Sequence, residues 1–119
     1  MAWSFSSGKP VYLQIAERLT KSVLSGEFKA GEQIPTVRQL ALVAAVNPNT
    51  VQHAFVELEK DGLIISKGTS GRFVTEDEAV IDQCRKKLAE KTVKSFVKDM
   101  KHLALTKEQV ISLIEEVEE

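Results

Sequence analysis

Apolar positions keep helical spacing through the first half of the chain and then change period. Tyr12, Ile15, Ala16, Leu19 and Val23 recur on one face, while Glu17, Arg18 and Lys21 fall on the other. Pro10 suits a first helical turn, where its missing N–H is no loss, and Gly26 is a C-terminal stop. Residues 1–9 read as a loose lead-in anchored by Trp3 and Phe5. Residues 27–35, with Gly31 and Pro35, read as a turn with a short extended piece. Thr36 and Gln39 have capping-box spacing and predict a short second helix buried through Val37, Leu40, Ala41 and Ala44, ending near Val46. Asn47 as N-cap and Pro48 behind it predict a third helix almost at once. Its apolar face is Val51, Ala54, Phe55 and Leu58, and Gly62 can close it.

The period then shortens. Leu63–Ile65 and Phe73–Val74 are β-rich and flank the turn cluster Gly68–Gly71, which predicts a hairpin. An isolated hairpin is marginal, so this one is expected to pack on the preceding helices. Helical spacing returns in Ile81, Cys84, Leu88, Val93, Phe96, Val97, Met100 and Leu103. A second Thr/Gln cap, Thr106 with Gln109, opens a last helix holding Val110, Ile111, Leu113, Ile114 and Val117. The expected fold class is α+β, mostly α. A winged helix-turn-helix domain occupies residues 1–75 and a short two-helix dimerisation tail residues 76–119. A long helix and a short one cannot bury two apolar stripes alone, so a homodimer is expected. Its seam is Ile81, Cys84, Leu88, Val93, Phe96, Val97, Met100, Leu103, Val110 and Ile114.

Composition narrows the class. The chain has 119 residues, 43% hydrophobic and 28% charged, which excludes whole-chain disorder. Sixteen Lys and Arg stand against 17 Asp and Glu, a net charge of -1, so a uniformly basic coating is excluded while a local basic face is not. Residues 1–75 carry eight basic and six acidic side chains, and residues 76–119 eight and eleven. A polyanion partner is therefore expected at the first part. One Cys cannot build an intramolecular disulfide framework or a cysteine-rich zinc site. His53 and His102 sit in no spaced ligand motif, so neither a metal nor a cofactor is expected. Cys84 reads as an inert packed thiol, with an oxidant-sensing role the weaker alternative. No apolar run approaches the ~18 residues of a membrane span, and a secretory leader pattern is absent, so a cytoplasmic protein without membrane contact is expected. No nucleophile–base pair or phosphate-cradling glycine loop emerges. Glu57 and Glu59 are two apart on a helix and face different directions, and Glu115, Glu116, Glu118 and Glu119 read as a solvated tail. An enzyme is not expected.

The ordered motifs carry a resemblance. They are Pro10-x-Tyr12-x-Gln14-Ile15, Gly31-x-x-Ile34-Pro35-Thr36-x-Arg38-x-Leu40-Ala41, and Val46-Asn47-x-Asn49-Thr50-Val51. Leu58-Glu59-x-x-Gly62-Leu63-Ile64 and Gly68-x-x-Gly71-x-Phe73-Val74 follow. Over residues 10–74 the sequence resembles the DNA-binding domain of GntR-type bacterial transcription regulators, and its tail resembles the YtrA-type subfamily. The resemblance implies a homodimer on a palindromic double-stranded DNA operator. Repression is its default, a neighbouring transporter operon a plausible target, and an unidentified small-molecule effector a further partner. It implies contacts from Arg38 and from the wing residues Lys67 and Gly68. Thr36 is expected to cap its helix beside a phosphate, and Asn47 to cap first and contact DNA second. Asn49 and Thr50, with Gln52 and His53 one turn on, are expected to reach bases or phosphates. Two departures stand out. Pro48 and Gln52 occupy positions where many members carry Arg, which weakens the electrostatic share. Ala45 stands where members often carry Gly; a left-handed conformation would strain alanine, so a different local turn is expected. The competing reading is a winged-helix protein-interaction module without sequence-specific DNA binding. The polar surface expected on the third helix suits base edges better than an apolar protein groove.

Overall fold

A computed structural model describes residues 3–118; Met1 and Ala2 of the expected lead-in and Glu119 of the acidic tail lie outside the described residues. Five helices and a hairpin follow one another: α1 (Val11–Leu24), α2 (Val37–Ala44), α3 (Pro48–Lys60), β1 (Ile64–Ser66), a 3₁₀ turn (Gly68–Ser70), β2 (Arg72–Val74), α4 (Glu78–His102) and α5 (Lys107–Glu116). The chain divides into two compact units, Met1–Cys84 and Arg85–Glu119.

In the first unit the three apolar stripes converge. Ile15, Leu19 and Val23 of α1, Leu40 and Ala41 of α2, and Val51, Ala54, Phe55 and Leu58 of α3 share one core with Ile34, Leu63, Ile64 and Val74. Burying each large side chain contributes roughly 1.5–3 kcal/mol, so this cluster fixes which face of each helix turns outward. The hairpin is antiparallel, with Ile64 opposite Val74 and Ser66 opposite Arg72. It is not left as a pair. The extended piece before Pro35 lies along β2: Val74 N–H donates to Glu32 O (2.8 Å), Ile34 N–H to Arg72 O (3.0 Å), and Gln33 bridges Phe73. This third segment supplies the backbone partners that two strands alone would lack.

Two features differ from the sequence reading. Ala45 adopts the left-handed conformation (φ 58, ψ 51), so the turn does not change shape to avoid it. The turn is tight: Ala45 and Val46 N–H groups both return to Ala41 O, and Asn47 already caps α3. The helices packed on either side hold the strain. The second difference concerns α4, whose first turns belong to the domain core. Ile81 is 6% exposed within the cluster and Cys84 packs against it. Both positions, expected on the seam, thus pack inside the protomer.

The lead-in is strapped to α1. Gln14 binds backbone groups of Ser6 and Lys9 (2.8–2.9 Å), and the Arg18 guanidinium lies 3.9 Å over the Trp3 ring. Glu17 pairs with Lys9 (3.1 Å) and Lys21 (3.4 Å). The hydrogen bond from Lys9 is the main cause that holds the Glu17 carboxyl below its usual range.

In the second unit the expected cap forms: Thr106 Oγ1 accepts from Gln109 N–H (3.2 Å), and Gln109 Oε1 from Thr106 N–H (2.8 Å). α4 and α5 make no extended contact with one another. Val110 is buried, whereas Val93, Phe96, Leu103, Ile111, Leu113, Ile114 and Val117 are exposed, Leu103 and Val117 by about two thirds (65% and 69%).

Left-handed geometry costs a non-glycine residue ~1–2 kcal/mol, and glycine's looser unfolded chain takes back ~0.4–1. Ala45→Gly should therefore raise stability by about 0.5–1 kcal/mol, read as a higher urea midpoint with an unchanged slope. An unchanged or lower midpoint would show that the turn stores no strain.

Candidate nucleic-acid interface

With Val51, Ala54, Phe55 and Leu58 turned inward, α3 has no choice about what it shows. Asn49, Gln52, His53 and Val56 are exposed on its outer face, and Thr50 is half-buried beside them. Asn47 Oδ1 accepts from Asn49 N–H (2.8 Å), so the cap also fixes the direction of the first turn. On α2, Thr36 closes a full capping box with Gln39, donor and acceptor both used (2.9 and 3.1 Å). Arg38 stands exposed one residue into that helix.

The wing tip is built on glycines for two different reasons. Gly68 is left-handed (φ 57) with open space around it. Gly71 (φ 110, ψ -161) is both strained for any side chain and crowded, because a Cβ there would stand 2.6 Å from Gln33 Nε2. That amide donates to Ser70 O (2.9 Å) and ties the tip to the third sheet segment. The Lys67 ammonium nitrogen lies 4.8 Å over the Phe73 ring, a cation–π contact that orients an otherwise exposed side chain. Arg72, the other basic side chain of the hairpin, points inward. It pairs with Glu59 (3.2 Å) and lies 4.8 Å over Phe55, locking the hairpin to α3.

The first unit thus carries all nine expected contact residues. The exposed members are Thr36, Arg38, Asn47, Asn49, Gln52, His53, Lys67 and Gly68, with Thr50 at the margin. Two neighbours escaped the sequence reading. Val56 follows Gln52 by four residues and Asn49 by seven, off the buried stripe, so its apolar side chain meets solvent on the same outer face (39% exposed). Tyr12 packs against the domain core, as its place on the α1 stripe predicts, and its ring also stacks face to face on His53 at 3.5 Å and 6°, a contact the sequence did not signal. The spacing of Val56 was readable; the Tyr12 contact joins residues forty-one positions apart and had no local signal. Among the described residues no group of three or more His, Cys, Asp or Glu is placed to hold a metal ion, and no helix is long and apolar enough to cross a membrane.

The profile of the family described as "Bacterial regulatory proteins, gntR family" matches residues 11–74, more than half the chain. The chain belongs to the GntR family. The HTH-type transcriptional regulator YhcF of Bacillus subtilis is 37% identical over 90% of this chain and 88% of its own length. The HTH-type transcriptional repressor YtrA of the same organism is 29% identical over 93% and 86%. Among solved structures, a GntR family transcriptional regulator from Listeria monocytogenes superposes with a TM-score of 0.88 at 33% identity, over 96% of this chain and all of that one. The AraR DNA-binding domain in complex with operator ORX1 matches 63% of this chain and 92% of that chain, with a TM-score of 0.56 at 26% identity. The fold is a GntR winged helix-turn-helix followed by C-terminal helices, and the chain is a DNA-binding transcription regulator of the YtrA-like kind.

Backbone confined to glycine costs other residues about 1–3 kcal/mol. Gly71→Ala should lower stability by at least that much, because the Gln33 amide must also move. Gly68→Ala, strained but uncrowded, should cost about 1–2 kcal/mol. Thermal unfolding of the two variants ranks them, and equal losses would show that the Gln33 tie contributes nothing.

Proposed function

We propose that this regulator acts as a homodimeric repressor on a palindromic operator. Two observations support the reading. The outer face of α3 offers hydrogen-bonding side chains flanked by Arg38, which suits base edges and phosphates. The tail leaves Val93, Phe96, Leu103 and Ile114 uncovered, a pattern that a second copy would bury. The proposed seam runs from Leu88 through Val93, Phe96, Val97, Met100 and Leu103 to Ile114. A two-fold protein reads two half-sites related by the same axis. The relative YtrA, named a repressor, favours repression by promoter occlusion. A transporter operon is the proposed target class, and an effector would act by binding one arrangement of the dimer better than another.

Within each half-site, Arg38 bonds a guanine edge or a phosphate bidentately. Asn49, Gln52 and His53 face base edges, while Thr36, Asn47, Thr50, Lys67 and Gly68 hold the backbone and set register. The uncovered tail is the observation that carries the dimer. The polar face of α3 carries the DNA contact.

Selection from a random duplex pool tests both. The expected product is an inverted repeat, and Arg38→Ala should lower affinity for it at least tenfold. Phe96→Asp should give a monomer by sedimentation that retains one half-site weakly. A single unrepeated motif bound one-to-one by wild type would overturn the homodimer.

A further inference from the structure

The contact between Tyr12 and His53 has a consequence for base recognition. Tyr12 lies in the first turn of α1 and His53 in the second turn of α3. Both helices are anchored in the same core by Ile15, Leu19 and Phe55, so the two rings are held by rigid elements. The rings are nearly parallel, 6° apart, with centroids at 3.5 Å. At that separation the tyrosine ring lies directly against one face of the imidazole. Rotation about the ring's own bond would break the contact, which leaves the ring plane fixed and its nitrogen-bearing edge as the part free to bond. His53 is exposed and shares the outer face of α3 with Asn49, one turn before it, and Val56, three residues after it.

We propose that Tyr12 is a positioning residue that presents His53 as the reader of a guanine in the major groove. An imidazole N–H is a donor, and the major-groove edge of guanine offers two adjacent acceptors, N7 and O6. A single N–H aimed between N7 and the neighbouring C6 substituent is accepted by both N7 and O6 of guanine, whereas the amino group beside N7 of adenine repels it and cytosine offers only a donor. A His side chain free to rotate would discriminate poorly, because ordering it on binding opposes the contact. The stack orders it beforehand. The Tyr hydroxyl has no part in this, so the ring alone should suffice. The inference rests on the DNA-contact reading of α3 and adds to it the base class and the residue that enforces it.

The test is the same pool selection, run on wild type, His53→Ala, Tyr12→Leu and Tyr12→Phe. One guanine position per half-site should lose its preference in His53→Ala. The same position, and no other, should lose about tenfold discrimination in Tyr12→Leu, and Tyr12→Phe should restore it. Proton spectra of the free proteins give an independent readout. The His53 ring protons should be ring-current shifted in wild type and Tyr12→Phe, and lose the shift in Tyr12→Leu. That readout needs only folded protein, and thermal unfolding shows whether Tyr12→Leu is folded. A guanine preference untouched by His53→Ala, or a uniform weakening of every position in Tyr12→Leu, overturns the proposal while leaving DNA binding intact. If wild type selects no motif, the DNA-contact reading of α3 itself fails, and this inference fails with it.

Discussion

The burial of one stripe on α3 is the constraint from which the rest follows. Val51, Ala54, Phe55 and Leu58 are at most 1% exposed and meet α1, α2 and the hairpin in a single core. A helix pinned along one face cannot rotate, because even a small turn would pull Phe55 from its neighbours and expose apolar surface worth kilocalories. Its opposite face is therefore delivered to solvent in a fixed orientation. Sequence-specific contact needs this, since a base edge is read by side chains whose positions are set before the DNA arrives.

The connections on either side of α3 serve the same end. On the upstream side, an alanine in left-handed geometry joins α2 to α3 with no slack, at a local cost the packed helices absorb. On the downstream side, Arg72 spans from β2 to Glu59 and Phe55, so the wing is fastened to the helix it flanks. The pairing of Glu32 and Ile34 with β2 completes the hairpin from a third direction. Tip, turn and helix are thereby fastened into one surface, with backbone strain at Ala45 and glycines where the wing tip needs positive φ.

The tail obeys a different balance. Its caps and helices form locally, with Thr106 and Gln109 closing α5, yet apart from Val110 most of the large apolar side chains of α5 stay exposed. Exposed Phe96, Leu103 and Ile114 are costly in water and gain by association. The first turns of α4 are the exception. Ile81 is buried in the core of the first unit.

Much of this was legible in the sequence. The period-3.6 stripes, the Thr36, Asn47 and Thr106 caps, the Gly-rich tip and the change of period at Leu63 determined each element and its inward face, because capping and amphipathicity act within a few residues. The same locality placed Asn49, Gln52 and His53 on the outer side of α3. What the chain's local pattern could not determine depends on residues brought together from afar. Ala45 takes a conformation its own chemistry disfavours because flanking helices outweigh one residue's preference. Arg72, chemically ready for a phosphate, is drawn inward by Glu59 and Phe55 across thirteen and seventeen positions. His53 is held by a tyrosine on another helix, and the piece before Pro35 becomes a strand segment only because β2 lies beside it. Local chemistry chose the elements; the tertiary structure chose which polar groups were left exposed, since that depends on which distant residues the core brings beside them.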